Sequence, residues 1–259
     1  MPFKLCCLPF RAATPVWSAM ITMADARLNL LLGALSDSIL LRWLQDLECV
    51  EIPLGEVLYE SGQTADFVYF PIAAIVSLLY VMENGASAEI AVVGNEGMVG
   101  IFLVMGDGST TSRALVQSGG AGIRMPAKEF KRQFNRSAVV QHLMLRYTQA
   151  LITQMTQTAV CNRHHSLEQQ LCRWLLLSLD RLHGDELVMT QELIAKMLGV
   201  RREGVHEAAS KLQDAGLIRY SRGHIHVLDR KELEKRSCEC YATVKREYDR
   251  LLPDIPAQP

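Results

Sequence analysis

The residues whose types and spacing best suit chemistry lie between Met189 and Asp229 of the 259-residue chain. Arg201, Arg202, Glu203 and His206 stand close together, Ser210 and Lys211 follow one turn on, and Arg222 comes later. Arginine can bond guanine O6 and N7 in parallel, and a glutamate accepts from cytosine N4, so these types match base edges in a DNA major groove. From Lys196 to His224 six basic residues stand against three acidic ones. Such a local excess suits a phosphate backbone.

Side chains read bases only if a helix presents them together. Thr190 is a good N-cap with acidic Glu192 in the first turn, Gln191 to Leu198 makes two turns, and Gly199 falls where a left-handed residue is needed. A second helix runs from about Arg201 until Gly216 stops it. Ile194, Leu198, Val200, Val205, Ala208, Ala209 and Leu212 interlock the two helices, with small Ala195 at their closest approach. That is a helix-turn-helix. LIRY and HIHVLD then flank Ser221-Arg222-Gly223, a hairpin with an arginine at its tip, which makes a winged helix. A helical hairpin with a solvated charged face is the plainer alternative. Cap, turn glycine, apolar lock and basic face all argue against it.

Across the whole chain Lys and Arg (27) balance Asp and Glu (28), leaving a net charge of -1. No global field therefore draws the chain to a polyanion, and the patch must act locally. Seven cysteines, at positions 6, 7, 49, 161, 172, 238 and 240, form neither a disulfide framework nor a repeated zinc pair, which points to a reducing cytosol. The longest apolar run, Phe67 to Met82, has 16 residues and contains Pro71, so it reads as two buried strands rather than a membrane span. Residues 1–27 are expected to be a disordered leader or to follow a start assigned too early, and residues 253–259 a disordered tail.

Between Cys49 and Pro126, β-branched and aromatic runs alternate with glycine turns, as in an antiparallel sandwich or jelly roll. Val140, Met144, Tyr147, Leu151, Met155 and Ala159 then mark one stripe of a long helix. Tyr147 to Asn162 holds no charged side chain, so this helix should be covered on more than one side, by its own sheet domain and by a second copy. Val140, Met144, Tyr147, Leu151 and Met155 are the expected dimer contacts. The whole is α+β: a β-roll over 28–135, a dimerisation helix over 136–163 and a winged helix-turn-helix over 164–252.

From Leu28 to Leu252 the chain resembles the Crp/Fnr family of bacterial transcription regulators. The resemblance is strongest over Gly199-Val200-Arg201-Arg202-Glu203-Gly204-Val205, which is similar to the family's G-x-S-R-E-T-V run. It implies a homodimer on a near-palindromic DNA site, with Arg202 and Glu203 as base readers, Thr190, Arg201, His206, Ser210, Lys211 and Arg222 supporting them, and RNA polymerase as a partner. The family's third reader, an arginine, falls on Glu207 here, so the preferred site should differ.

The same resemblance places an effector pocket at Gly100, Ile101, Ser112, Arg113 and Thr148. Gly100-Ile101-Phe102 lacks the family's ribose-binding Glu, and Ser112-Arg113 inverts the phosphate-binding Arg-Ser. In a strand a one-residue shift turns the side chain to the other face. These departures argue against cyclic AMP or GMP, although a bulge could restore the register, and no cofactor is otherwise identified. Cys6-Cys7 with distant Cys49 does not supply the family's iron–sulfur motif. Cys238 and Cys240, at i and i+2, would not share a helix face, and His164-His165 reads as a polar hinge, so no metal site is expected. No catalytic triad, carboxylate pair or phosphate loop points to an enzyme. The remaining alternative is a signalling module whose winged helix contacts protein.

Overall fold

The computed structural model describes residues 21–106, 108–182 and 186–252. Three short helices, α1 (Met23–Ala26), α2 (Leu30–Gly33) and α3 (Asp37–Trp43), lead into seven strands: β1 (Glu48–Ile52), β2 (Val57–Tyr59), β3 (Phe67–Pro71), β4 (Ile75–Val81), β5 (Ser87–Val93), β6 (Arg113–Ser118) and β7 (Gly120–Pro126). They pair antiparallel as two sheets, β1-β7-β3 and β2-β6-β4-β5. Thr22 and Asp25 form a capping box at α1, and Ile21 and Ala26 enter the core. The leader expected over 1–27 is therefore too long, because residues 21–27 belong to the roll. Residues 1–20 and 253–259 lie outside the described residues.

Alternation along the strands divides the four-stranded sheet between two cores. Val76, Leu78, Ala91, Val93, Ala114 and Val116 point into the roll with Phe70, Ile123 and Met125 of the facing sheet, and Trp43 and Phe130 pack edge to face beside them. Ile75, Leu79 and Val92 point the other way, into the core of the second domain. Strand β4 is buried along most of its length because both its faces are covered.

After α4 (Ala127–Arg136), Ser137 caps α5 (Ala138–His164), 27 residues and about 40 Å long at 1.5 Å per residue. Val140, Leu143, Met144, Tyr147 and Leu151 are buried against the chain's own roll. The Tyr147 hydroxyl donates to the Met98 carbonyl at 2.8 Å, and Gln154 clasps Val92, accepting from its N–H at 2.7 Å and donating to its carbonyl at 3.2 Å. A Cβ at Gly97 would lie 2.6 Å from the Tyr147 ring, so glycine makes room for it.

This corrects the expected dimer contacts. Val140, Met144, Tyr147 and Leu151 are consumed by the intrachain core and half-buried Met155 packs against it, since the strongest apolar stripe goes to the largest apolar surface within reach. The opposite side of α5 carries Leu145, Ile152 and Val160, exposed at 59%, 53% and 45%.

The second domain follows a break at His165. It comprises α6 (Leu167–Leu179), β8 (Glu186–Val188), α7 (Gln191–Leu198), α8 (Arg202–Asp214), β9 (Ile218–Ser221), β10 (His224–Val227), α9 (Arg230–Arg236) and α10 (Glu239–Leu251). A small sheet in the order β8-β10-β9 forms the wing. Helix α6 shares its core with the outer face of the roll, and a buried ion pair, Arg181 to Glu96 at 2.7 Å, crosses the same boundary. Helix α10 packs along α5.

Candidate nucleic-acid interface

The turn between α7 and α8 forms from local chemistry. Thr190 Oγ1 accepts from the Leu193 N–H at 3.2 Å, and Gly199 adopts φ 66°, ψ 33°, the left-handed region that ends α7. Arg201 then takes an extended backbone as the residue before α8. Ile194, Ala195, Leu198, Val205, Ala208, Ala209 and Leu212 are all buried at the junction. Their burial leaves the opposite face of α8 to solvent.

That face opens into one groove. Thr190, Arg202, His206, Ser210 and Arg222 line it, at the start of α7, along α8 and at the wing tip. Among the described residues, none of Arg201, Arg202 and Arg222 pairs with a carboxylate. Arg201 and Glu203 are exposed at the head of α8, Arg201 on the side toward the roll. Lys211 lies outside the groove, where its Nζ bonds Glu207 Oε1 at 2.8 Å. That bond raises the lysine's pKa and lowers the glutamate's. The groove lining also includes residues that the sequence reading missed, among them Gln191, whose amide lies 3.4 Å from His206 Nδ1, Gln213 and Tyr220. Gln213 lies seven residues past His206, so extending the helical stripe by two turns would have found it.

The wing tip is strained in a specific way. Arg222 has φ 51° and Gly223 φ 87°, the pair of positive values that a two-residue type I′ hairpin requires. Asparagine or glycine is the favoured first residue there, so an arginine holds the position at a backbone cost. Below it, the Tyr220 hydroxyl donates to the Met189 carbonyl at 2.7 Å, and burial pushes its pKa up to about 12. This anchors the wing to the start of α7.

The head of the recognition helix also meets the roll. A Cβ at Gly199 would lie 3.3 Å from Ala88 Cβ, and Gly85, Ala86 and Ser87 of the β4–β5 hairpin share a cleft with Lys196, Val200 and Arg201.

Each of the five expected effector residues has its own local environment. Gly100, at φ 103°, starts a turn of 3-10 helix in which Ile101 is buried, while Ser112 hydrogen-bonds with Thr110 at 3.0 Å and lies beside Tyr59. Tyr59 packs edge to face on Phe102, with centroids 4.9 Å apart. Arg113 shares the outer face of β6 with Leu115 and Gln117, and its Nε donates to Glu60 at 2.7 Å. Thr148 donates to the Met144 carbonyl within its own helix.

A β-roll joined through a long helix to a winged helix-turn-helix, whose recognition-face arginines pair with no carboxylate among the described residues, defines a DNA-binding regulator built on a sensor scaffold. Residues 49–137 match the cyclic nucleotide-binding domain family, and residues 169–236 match the Crp-like helix-turn-helix domain family. Together these stretches take in more than half of the chain, which belongs to the Crp/Fnr family of transcription regulators. A comparison with curated proteins returns no match.

Similar solved structures include a Crp/Fnr family regulator from Eubacterium rectale, at 18% identity and TM-score 0.61 over 80% of this chain and 96% of that one. FixK2 from Bradyrhizobium japonicum is 15% identical, with TM-score 0.62 over 74% and 98%. The c-di-GMP responsive regulator CLP of Xanthomonas campestris is 14% identical, with TM-score 0.59 over 75% and 100%. At these identities the likeness is one of fold. Among the described residues no helix is long and apolar enough to cross a membrane.

Proposed function

We propose that the chain acts as a homodimer whose two recognition helices read a near-palindromic operator. The observation that carries this is the single groove shared by Thr190, Arg202, His206, Ser210 and Arg222, which unites helix head, recognition face and wing tip. Arg202, with Glu203 beside it, reads base edges, while Thr190 and Arg222 hold phosphates. The exposed Leu145, Ile152 and Val160 face of α5 meets its counterpart in the second copy, replacing the stripe first expected to do so. Two α8 helices then sit about 34 Å apart, one turn of DNA.

The signal enters at the roll and reaches α8 through the contact of the β4–β5 hairpin with Gly199. A cyclic nucleotide is the effector class that the family match brings with it. Arg113, turned outward to Glu60, supports a ligand or signal other than one held by an arginine–phosphate pair inside the roll. RNA polymerase as partner and a cytoplasmic location belong to the same reading.

Selection of bound DNA from a random pool, repeated with cyclic AMP, cyclic GMP and c-di-GMP, tests it. Two half-sites spaced by about 10 base pairs should emerge, and Arg202→Ala should weaken the selected site by about 1–3 kcal/mol while relaxing one base position. No enrichment, or an Arg202→Ala variant that binds the selected site unchanged, refutes the assignment.

A further inference from the structure

Cys161, His165, Cys238 and Cys240 converge where the long helix ends and the last helix begins. Each offers one ligand atom, and the four atoms lie within 4.8 Å of one another. Cys161 Sγ is 3.5 Å from Cys238 Sγ, and Cys240 Sγ is 3.6 Å from His165 Nδ1. With Zn–S near 2.3 Å and Zn–N near 2.05 Å, a tetrahedral site has S···S edges of about 3.8 Å and S···N edges of about 3.6 Å. The set is too tight for a multi-iron cluster, in which each iron takes its own thiolates. We propose that these four residues form a tetrahedral Cys3His site for a single zinc ion.

Second-sphere groups are also in place. His165 Nε2 lies 3.4 Å from a Glu239 carboxylate oxygen, the partner that fixes a metal-bound imidazole with Nδ1 toward the ion. Three thiolates on zinc leave one net negative charge. The Arg173 guanidinium acts on both Cys161 and Cys240, and the N-terminal backbone of α10 faces Cys238. The three cysteines are buried and His165 is half-buried, as suits a closed structural site.

Helical spacing had argued against Cys238 and Cys240, which at i and i+2 point apart on a helix. Cys238, however, is the residue before α10, with an extended backbone (φ -82°, ψ 166°), and Cys240 is the second residue inside it. The change of conformation between them turns both thiols to one side. Cys161 and His165 are i and i+4 at the end of α5 and share a face there. Zinc would thus close the hinge at His165–Ser166 from both sides, joining the helix proposed to dimerise to the last helix of the DNA-binding domain.

The test uses the full chain, purified under reducing, chelator-free conditions. Plasma mass spectrometry should find close to one zinc per chain. After zinc removal, added Co2+ should give the intense visible absorption of a tetrahedral site with a thiolate charge-transfer band. A Cys238→Ser/Cys240→Ser double variant should retain less than a tenth of the metal, and His165→Ala should weaken retention against a competing chelator at least tenfold. Should a variant fail to fold, the wild-type Co2+ spectrum decides. Zinc content below a tenth per chain with no tetrahedral Co2+ spectrum, equal metal in wild type and folded double variant, or a Cys161–Cys238 disulfide in freshly reduced protein would each overturn the site.

Discussion

Glu89 is a carboxyl group enclosed between the roll and α6, and replacing it with glutamine should make the protein more stable at neutral pH. Burial pushes its pKa up from 4.5 to about 7, against the opposing pull of the Ser77 hydrogen bond and the guanidinium groups of Arg173 and Arg181. The hydrogen bonds agree with a proton on Glu89. Ser77 Oγ lies 2.5 Å from Glu89 Oε2 and 2.6 Å from Gln117 Oε1, yet its hydroxyl has one proton for the two acceptors. Gln117 turns its amide N–H toward Ser178 at 3.0 Å, leaving its oxygen for Ser77. The carboxyl's own proton then fills the remaining gap.

An acid whose folded-state pKa is raised contributes no penalty below its unfolded value and costs stability as pH climbs from about 4.5 to 7. Above pH 7 the full cost is about 3 kcal/mol. Glu89→Gln keeps an oxygen acceptor and removes the titration. It should match wild type near pH 4.5 and exceed it at pH 8 by up to about 3 kcal/mol, or about 6–12 °C in melting temperature for a chain of this size. Melting both proteins from pH 4.5 to 8 checks this. Parallel curves, or a variant less stable at pH 8, would refute a protonated Glu89.

Two further variants separate stability from binding. Arg222→Asn relieves the positive φ at the wing tip and should stabilise the hairpin by about 1 kcal/mol. The same change should weaken binding to every DNA sequence and lower the slope of log affinity against log salt by about 0.9, read by titration at several salt concentrations. Leu145→Glu with Ile152→Glu places charge on the exposed face of α5; sedimentation should show monomers with unchanged circular dichroism, and operator affinity should collapse.

What was legible in the sequence was local. Thr190, Gly199, Arg202 and the Arg222-Gly223 tip each declare a cap, a left-handed turn, an exposed face or a hairpin within a few residues, and all appear in the structure. The partner of a face is not local. The stripe from Val140 to Leu151 was correctly read as apolar, but periodicity does not say whether the surface it meets is intrachain. The cysteine cluster was hidden for the same reason, since Cys161 and Cys238 are 77 positions apart. Its one local clue, the spacing of Cys238 and Cys240, misled because the helix starts between them. Arg113 shows the opposite case. The inverted Ser112-Arg113 order signalled the wrong strand face, and the arginine does lie on the outer side of β6 with Glu60.

Tyr147 gives the long helix a fulcrum. Its ring occupies the space where Gly97 lacks a side chain, and its hydroxyl is tied to Met98, so α5 cannot slide along the roll without expelling a buried aromatic ring. Axial sliding is thereby blocked, and pivoting is left once the Gln154–Val92 hydrogen bonds give. From Tyr147 to His164 the lever arm is about 25 Å. A tilt of about 5° therefore carries its far end through about 2 Å, comparable to the helix shifts by which switching proteins move between states.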